Sequence, residues 1–145
     1  MGEDEDKVAQ SKKMIEELVF EERISYDPKH AWAKLEDNEV RIGISDYAQD
    51  QLGEVIFVEL PSVGDVFERG EVFGQVESIK SVSSLIMPIG GTVTSINEEL
   101  GDDPELLNHS PYEVWIIKIE PKNSNELELL YTSRQYADYL KTLEE

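Results

Sequence analysis

The sequence predicts a mainly β domain, a small sandwich or flattened barrel with helical additions at both ends. Three observations predict it. Between about residues 24 and 122, short runs rich in Val, Ile and Phe are separated by Gly, Pro and Asp, which marks short strands joined by turns. Outside that stretch the spacing becomes helical, with Ile15, Leu18 and Val19 on one face near the N-terminus and Tyr136, Tyr139 and Leu140 on one face near the C-terminus. A faint repeat is also visible, in which Gly53-Glu54-Val55-Ile56 leads to Gly64-Asp65 much as Gly91-Thr92-Val93-Thr94 leads to Gly101-Asp102. Two similar halves explain that repeat, and so does coincidence in a glycine-rich β chain. With 145 residues and 39% hydrophobic content, the chain can bury one core but not two comfortable ones.

Taken in order, residues 1–10 read as a solvated acidic tail, followed by a helix from Ser11. Strands are expected at 39–44, 55–60, 72–77, 82–87, 91–97 and 114–119. Ser45 can cap a helix over 46–52 that Gly53 ends, and Asp103-Pro104 opens a second over 104–108. After Pro121 two further helical segments are expected, at 126–131 and 134–143. The resulting division is an acidic tail and N-terminal helix over 1–22, a β domain over 23–122, and a helical extension over 123–145.

The formal charge of −19 repels phosphate backbones and anionic membrane surfaces, so neither nucleic acid nor membrane is an expected partner. A protein with a basic docking face would be attracted, less so as salt is added. There is no cysteine, hence no thiolate nucleophile, disulfide framework or cysteine-held cluster, and redox chemistry would need an attached or bound cofactor. No apolar run approaches a membrane span, and Glu3-Asp4-Glu5-Asp6 is unlike a targeting segment. A cytoplasmic protein is expected, or a mature form without its targeting segment. The two histidines, His30 and His109, have no acid-and-nucleophile partners at recognisable spacing and are too few for a zinc site.

Lys80 stands apart. It is the only lysine between Lys34 and Lys118, and it falls between two candidate strands, which puts it at an exposed hairpin tip, either as an ordinary solubilising residue or as one that an enzyme could modify. The turn Ser78-Ile79-Lys80-Ser81 nevertheless lacks the Asn-Gly or Gly that usually makes a tight hairpin.

The segment Gly74-Gln75-Val76-Glu77-Ser78-Ile79-Lys80-Ser81-Val82-Ser83 resembles the lipoyl attachment segment of the glycine cleavage system H-protein family. The likeness continues through Gly43-Ile44-Ser45-Asp46-Tyr47-Ala48-Gln49, Leu52–Pro61, Val63-Gly64-Asp65, Met87-Pro88-Ile89-Gly90-Gly91, Asn97-Glu98-Glu99-Leu100, Pro104–Asn108 and Pro111-Tyr112. Together these span roughly residues 24–142, a far more specific signal than one lysine. Biotin carriers are less similar, because Ile79 and Ser81 occupy the positions of their flanking methionines, and lipoyl domains of 2-oxoacid dehydrogenases match only the central part.

The resemblance implies a biotinyl/lipoyl-type barrel sandwich of two small antiparallel sheets, with an added N-terminal helix and C-terminal helices. It implies lipoate attached to Lys80, with Glu77 marking that lysine for modification and Gly91 supporting the fold. It also implies a carrier rather than an enzyme. Its partners would be glycine decarboxylase, aminomethyltransferase, dihydrolipoamide dehydrogenase and a lipoate ligase or lipoyl transferase, and the chain is expected to be a monomer. The carrier would move an aminomethyl group between the first two and electrons to the third. The family shelters its cargo near a Ser-His-Glu-Trp segment, where this chain has Lys29-His30-Ala31-Trp32, so a hydroxyl and a carboxylate are exchanged for Lys29 and Ala31. Gln51 and Ser84 likewise replace the family's frequent His and acid. These five, Lys29, His30, Ala31, Gln51 and Ser84, are the candidate groove residues. Two alternatives stay open: an H-like lipoate-binding protein that carries sulfur in a heterodisulfide-reductase-like pathway, and an unmodified β-sandwich interaction module.

Overall fold

The computed structural model describes residues 13–143. Among the described residues nine strands form two antiparallel sheets: β1 (Ser25–Tyr26), β2 (Ala31–Glu36), β3 (Glu39–Ile44), β4 (Val55–Glu59), β5 (Val66–Phe67), β6 (Val72–Ser78), β7 (Val82–Ile86), β8 (Gly91–Ile96) and β9 (Ile117–Pro121). Six strands lie in the order β1-β2-β3-β9-β8-β5 and three in the order β4-β6-β7. The sheets are thus unequal and open at their edges, a sandwich rather than a closed barrel. Val40, Ile42, Ile117, Ile119 and Val93 from the larger sheet meet Val55, Val58, Phe73, Val76 and Leu85 from the smaller in one apolar core. These are the alternate, β-branched-rich positions that a half-buried pleated strand turns inward.

Helix α1 (Asp46–Leu52) follows the sequence expectation closely. Ser45 Oγ accepts from the Ala48 amide at its start, and Gly53, with φ 77, ends it. Two single turns, α2 (Glu99–Asp102) and α3 (Leu106–His109), replace the one helix expected at 104–108. Asp103 ends the first of these instead of capping the second. The segment expected to be helical at 126–131 is a 3-10 turn over Ser124–Leu129, and α4 (Ser133–Leu143) closes the chain.

Three strands, β1, β2 and β5, were not expected. The first and last are two residues long, and Ala-Trp-Ala-Lys-Leu-Glu in β2 has little of the β-branched content that marks a strand. The strand expected at 114–119 begins later, because Val114 is still in the turn closed by its bond to the Ser110 carbonyl. The two parts of the sequence repeat are not equivalent: Gly53 ends a helix, Gly91 starts a strand, Gly64 lies in a turn with φ 98, and Gly101 is inside α2.

The expected N-terminal helix is also corrected, for the residues that are described; Ser11, where it was to start, and the acidic tail lie outside them. Only a 3-10 turn forms, at Ile15–Glu17, and Leu18 is already extended. Side chains of the sandwich take the backbone groups that a helix would have satisfied internally. The Val19 amide donates to Asp46 Oδ2 at 2.9 Å, and Tyr112 Oη donates to the Val19 carbonyl at 2.6 Å. Asp46, almost fully buried, is further met by Lys13 Nζ and by Gln49 Nε2. This strap and α4 enclose a second, aromatic core of Leu18, Ile24, Tyr26, Trp32, Tyr136 and Leu140, with the rings of Tyr26 and Tyr136 stacked at 4.6 Å. Among the described residues no helix is long and apolar enough to cross a membrane.

Candidate functional site: a braced lysine hairpin beside a groove

The β6–β7 hairpin carries Ile79-Lys80-Ser81 as its loop, with Lys80 exposed. Ser78 does the work that Asn-Gly would do elsewhere. Its Oγ accepts from the amides of both Lys80 and Ser81, each at 3.1 Å, while its own amide donates to the Ser81 carbonyl at 2.8 Å. The loop is also pinned sideways, since the Ile79 amide donates to the Glu54 carbonyl at 3.1 Å. A Cβ built on Gly53 would lie 3.0 Å from Lys80 Cε, so the lysine stem runs over the bare backbone that ends α1. Asn108 fixes that backbone in turn, donating to the Gly53 carbonyl at 2.8 Å and accepting from the Val55 amide at 2.9 Å. The amine is therefore reachable while its base is held from two directions.

This bracing gives a test. Ser78→Ala leaves two amides without their shared acceptor, a local loss of about 1–3 kcal/mol. Faster hydrogen exchange at the Lys80 and Ser81 amides is expected. Unchanged exchange at both amides would contradict the bracing role.

Beside the hairpin lies a groove of about 390 Å³. The edge strand β7 forms one side; β2, β3 and α1 form the other. Its walls are apolar at Ile44, Leu52, Phe73, Val76 and Leu85. All five candidate groove residues line it: Lys29, His30, Ala31, Gln51 and Ser84. Glu77 does not. It sits half-buried in β6, in a cross-strand row with Phe57 and Val82 on the other face of the small sheet. Gly91 is elsewhere again, in the larger sheet opposite Phe67 and Pro121, where a Cβ would come within 2.5 Å of the Glu120 carbonyl oxygen.

Ser78, Gly53, Asn108 and Tyr136 were not among the expected site residues. Ser78 and Gly53 had a sequence signal, as a serine two residues before the lysine and a helix-ending glycine. The contacts of Asn108 and Tyr136 are formed by chain folding over long separations and leave no local trace.

His30 is the most constrained residue in the groove wall. Its φ of 79 is the left-handed conformation that few residues other than glycine adopt. It is held there because its amide donates to the Asp27 carbonyl at 2.7 Å and its carbonyl accepts from the Ser45 amide at 2.9 Å. Burial, helped by the adjacent Lys29 charge, lowers its pKa to about 4. The unfolded chain thus binds a proton near pH 6.5 that the folded chain refuses until about pH 4. Stability present above that window is lost as the pH falls through it, by an amount on the order of 2 kcal/mol after allowance for the open side of the groove. Asp27, whose carboxyl is held above its ordinary value by burial, works in the opposite direction. The comparison with His30→Asn, a residue that tolerates positive φ, isolates the histidine. Urea midpoints should fall more steeply from pH 6.5 to 4 in the parent than in the variant; equal slopes would contradict the neutral, buried imidazole.

The geometry defines a class of protein: a small β sandwich that displays one lysine on a rigid hairpin next to a sheltered groove. Comparison with known proteins makes the assignment specific. The family described as glycine cleavage H-protein matches residues 24–143, and the chain belongs to that family. It is 50% identical over 134 residues to a probable glycine cleavage system H protein of Pyrococcus furiosus, covering 90% of this chain and all of the relative. A glycine cleavage system H protein of Bacillus velezensis is 53% identical over 112 residues, 77% of this chain and 88% of that one. The crystal structure of a glycine cleavage system H protein from Mycobacterium marinum superposes with a TM-score of 0.77 at 34% identity, covering 83% of this chain and 98% of that chain.

Proposed function

We propose that this chain is the lipoyl-lysine carrier of a glycine cleavage system. It takes an aminomethyl group from glycine decarboxylase to an aminomethyltransferase, passes electrons to dihydrolipoamide dehydrogenase, and catalyses no step itself. The observation that carries the reading is the exposed Lys80 on its braced turn, with Glu77 three residues before it, inside the segment that matches the family. The relatives do not favour a sulfur-carrying paralogue or an unmodified interaction module: those compared carry the glycine cleavage name at about half identity over most of the chain.

Lipoate on Lys80 would supply the dithiol/disulfide couple that a cysteine-free chain lacks. The groove fits such a group, because Ile44, Leu52, Phe73, Val76 and Leu85 offer an apolar bed to an aliphatic chain and a sulfur ring. Among its described lining residues are three serines, Gln51, His30 and Lys29, but no carboxylate. Amine-bearing cargo would therefore meet hydroxyls and a neutral imidazole instead of an opposite charge. A lipoate ligase or lipoyl transferase would read the hairpin and Glu77. The surplus of 32 acidic over 13 basic residues favours partners with basic docking faces, in a cytoplasmic setting.

The test is exchange of the glycine carboxyl carbon with bicarbonate, catalysed by an active glycine decarboxylase and dependent on the lipoylated protein. Rapid exchange with the lipoylated form and none with the unmodified form is expected. No exchange with confirmed lipoylation would move the assignment to another carrier pathway.

A further inference from the structure

We propose that Tyr136, from the C-terminal helix, is a positioning residue that fixes the groove histidine as the tautomer with hydrogen on Nε2, so that His30 offers a neutral N–H donor to the terminus of a seated arm. The juxtaposition brings together residues far apart in the chain. Tyr136 Oη lies 2.8 Å from His30 Nδ1 and 2.7 Å from Ser45 Oγ, and Tyr136 and Ser45 are both fully buried. Ser45 Oγ already accepts from the Ala48 amide at the start of α1, so its hydroxyl hydrogen is free to go to Tyr136 Oη. Tyr136 then turns its own hydrogen to His30 Nδ1, which accepts it, and the ring hydrogen resides on Nε2.

The surroundings keep both the imidazole and the phenol neutral. Facing the imidazole are Tyr47 from α1, with ring centroids 4.7 Å apart, and Tyr136 and Tyr139 from α4. Along its own segment stand Lys29 and Asp27, the latter with its carboxylate turned to the Lys29 amide. No carboxylate is hydrogen-bonded to the ring among these groups, and the Lys29 charge together with burial disfavours imidazolium. Tyr136 stays un-ionised, its pKa raised by burial, and so keeps the hydrogen it donates. A donor N–H suits a neutral acceptor, a ring sulfur or an uncharged amine nitrogen, whereas an imidazolium would repel a protonated amine. The helical extension, remote in sequence, thus sets the hydrogen-bonding character of the groove.

This inference rests on the carrier reading for the identity of the arm, but its first test does not. In the full-length protein labelled with 15N-histidine, long-range proton–nitrogen spectra report both rings, with His109→Gln assigning them. The His30 ring should show an unprotonated Nδ1 and a protonated Nε2 from about pH 8 to pH 5. Tyr136→Phe keeps the ring stack and removes the hydroxyl. It should populate both tautomers and raise the His30 midpoint by about one pH unit or more toward 6.5. Ser45→Ala leaves Tyr136 able to donate and should keep the parent tautomer, and the parent tautomer itself still tests the proposal where Tyr136→Phe fails to fold. An Nδ1–H tautomer in the parent, or an unchanged tautomer and midpoint in folded Tyr136→Phe, overturns the proposal. In the lipoylated protein the His30 Nε2 resonance should shift relative to the unmodified form, and not in Tyr136→Phe. An identical resonance with mass-confirmed lipoylation overturns the donor role, whereas failure of Lys80 to accept lipoate would overturn the carrier reading and leave the tautomer result standing.

Discussion

Lys80→Arg should leave the fold intact and abolish glycine carboxyl exchange, to the level seen without the protein. The side chain is exposed, makes no hydrogen bond through its amine that the hairpin depends on, and its backbone amide is held by Ser78 whatever the side chain is. Arginine keeps the charge and most of the stem but cannot form the lipoyl amide. The effect is therefore all-or-none on carrier function and within about 0.5 kcal/mol on stability, as for an ordinary surface substitution. Thermal unfolding and the exchange assay check the two halves separately. Residual exchange above background would mean that another group carries the cargo.

The largest effect on stability is expected at Gly74, in the central strand of the smaller sheet. A Cβ there would lie 2.2 Å from the Glu59 carbonyl oxygen of β4 and 3.5 Å from Leu85 Cδ1. The obstacle is backbone, and β4 cannot retreat without losing the Val58–Val76 and Glu59–Gln75 pairing that holds the strand leading into the lysine hairpin. Gly74→Ala should cost about 3 kcal/mol or more, lowering the unfolding temperature by on the order of 10 °C, and should slow lipoylation along with it. Gly101→Ala is the control, because nothing lies within 4 Å of its Cβ position and it sits in a helical turn. That change should be neutral or slightly stabilising. Equal effects at the two glycines would contradict the close approach of β4 and β6.

The parts of the fold legible in the sequence are those fixed by neighbours along the chain. Ser45 and Gly53 bracket α1 because a cap and a left-handed stop act within a few residues. The strands flanking Lys80 were legible because short runs carrying Val, Ile and Phe stand on either side of it, in β6 and β7. Illegible parts depend on distant partners. Leu18 and Val19 have helical spacing, yet Asp46 and Tyr112 draw the strap out straight. Nothing local in the sequence tells where Trp32 packs, and its ring lies against Gly43 of the paired strand, where a Cβ would come within 2.5 Å of it. At the site, Lys80 stood out in the sequence as a lone lysine between two strands, whereas the five groove residues, all but Ser84 far from it in the chain, came only from the family resemblance. The braces could not be picked out, since Asn108 and Tyr136 arrive from 55 and 106 residues away in contacts to Gly53 and His30.

On the function proposed above, this hairpin displays one amine for lipoylation. Peptide mapping by mass spectrometry of the protein produced in lipoate-competent cells tests it most directly. A single lipoyl increment is expected, confined to the peptide that contains Lys80. An unmodified protein from those cells, or an increment on any of the other lysines, would contradict it.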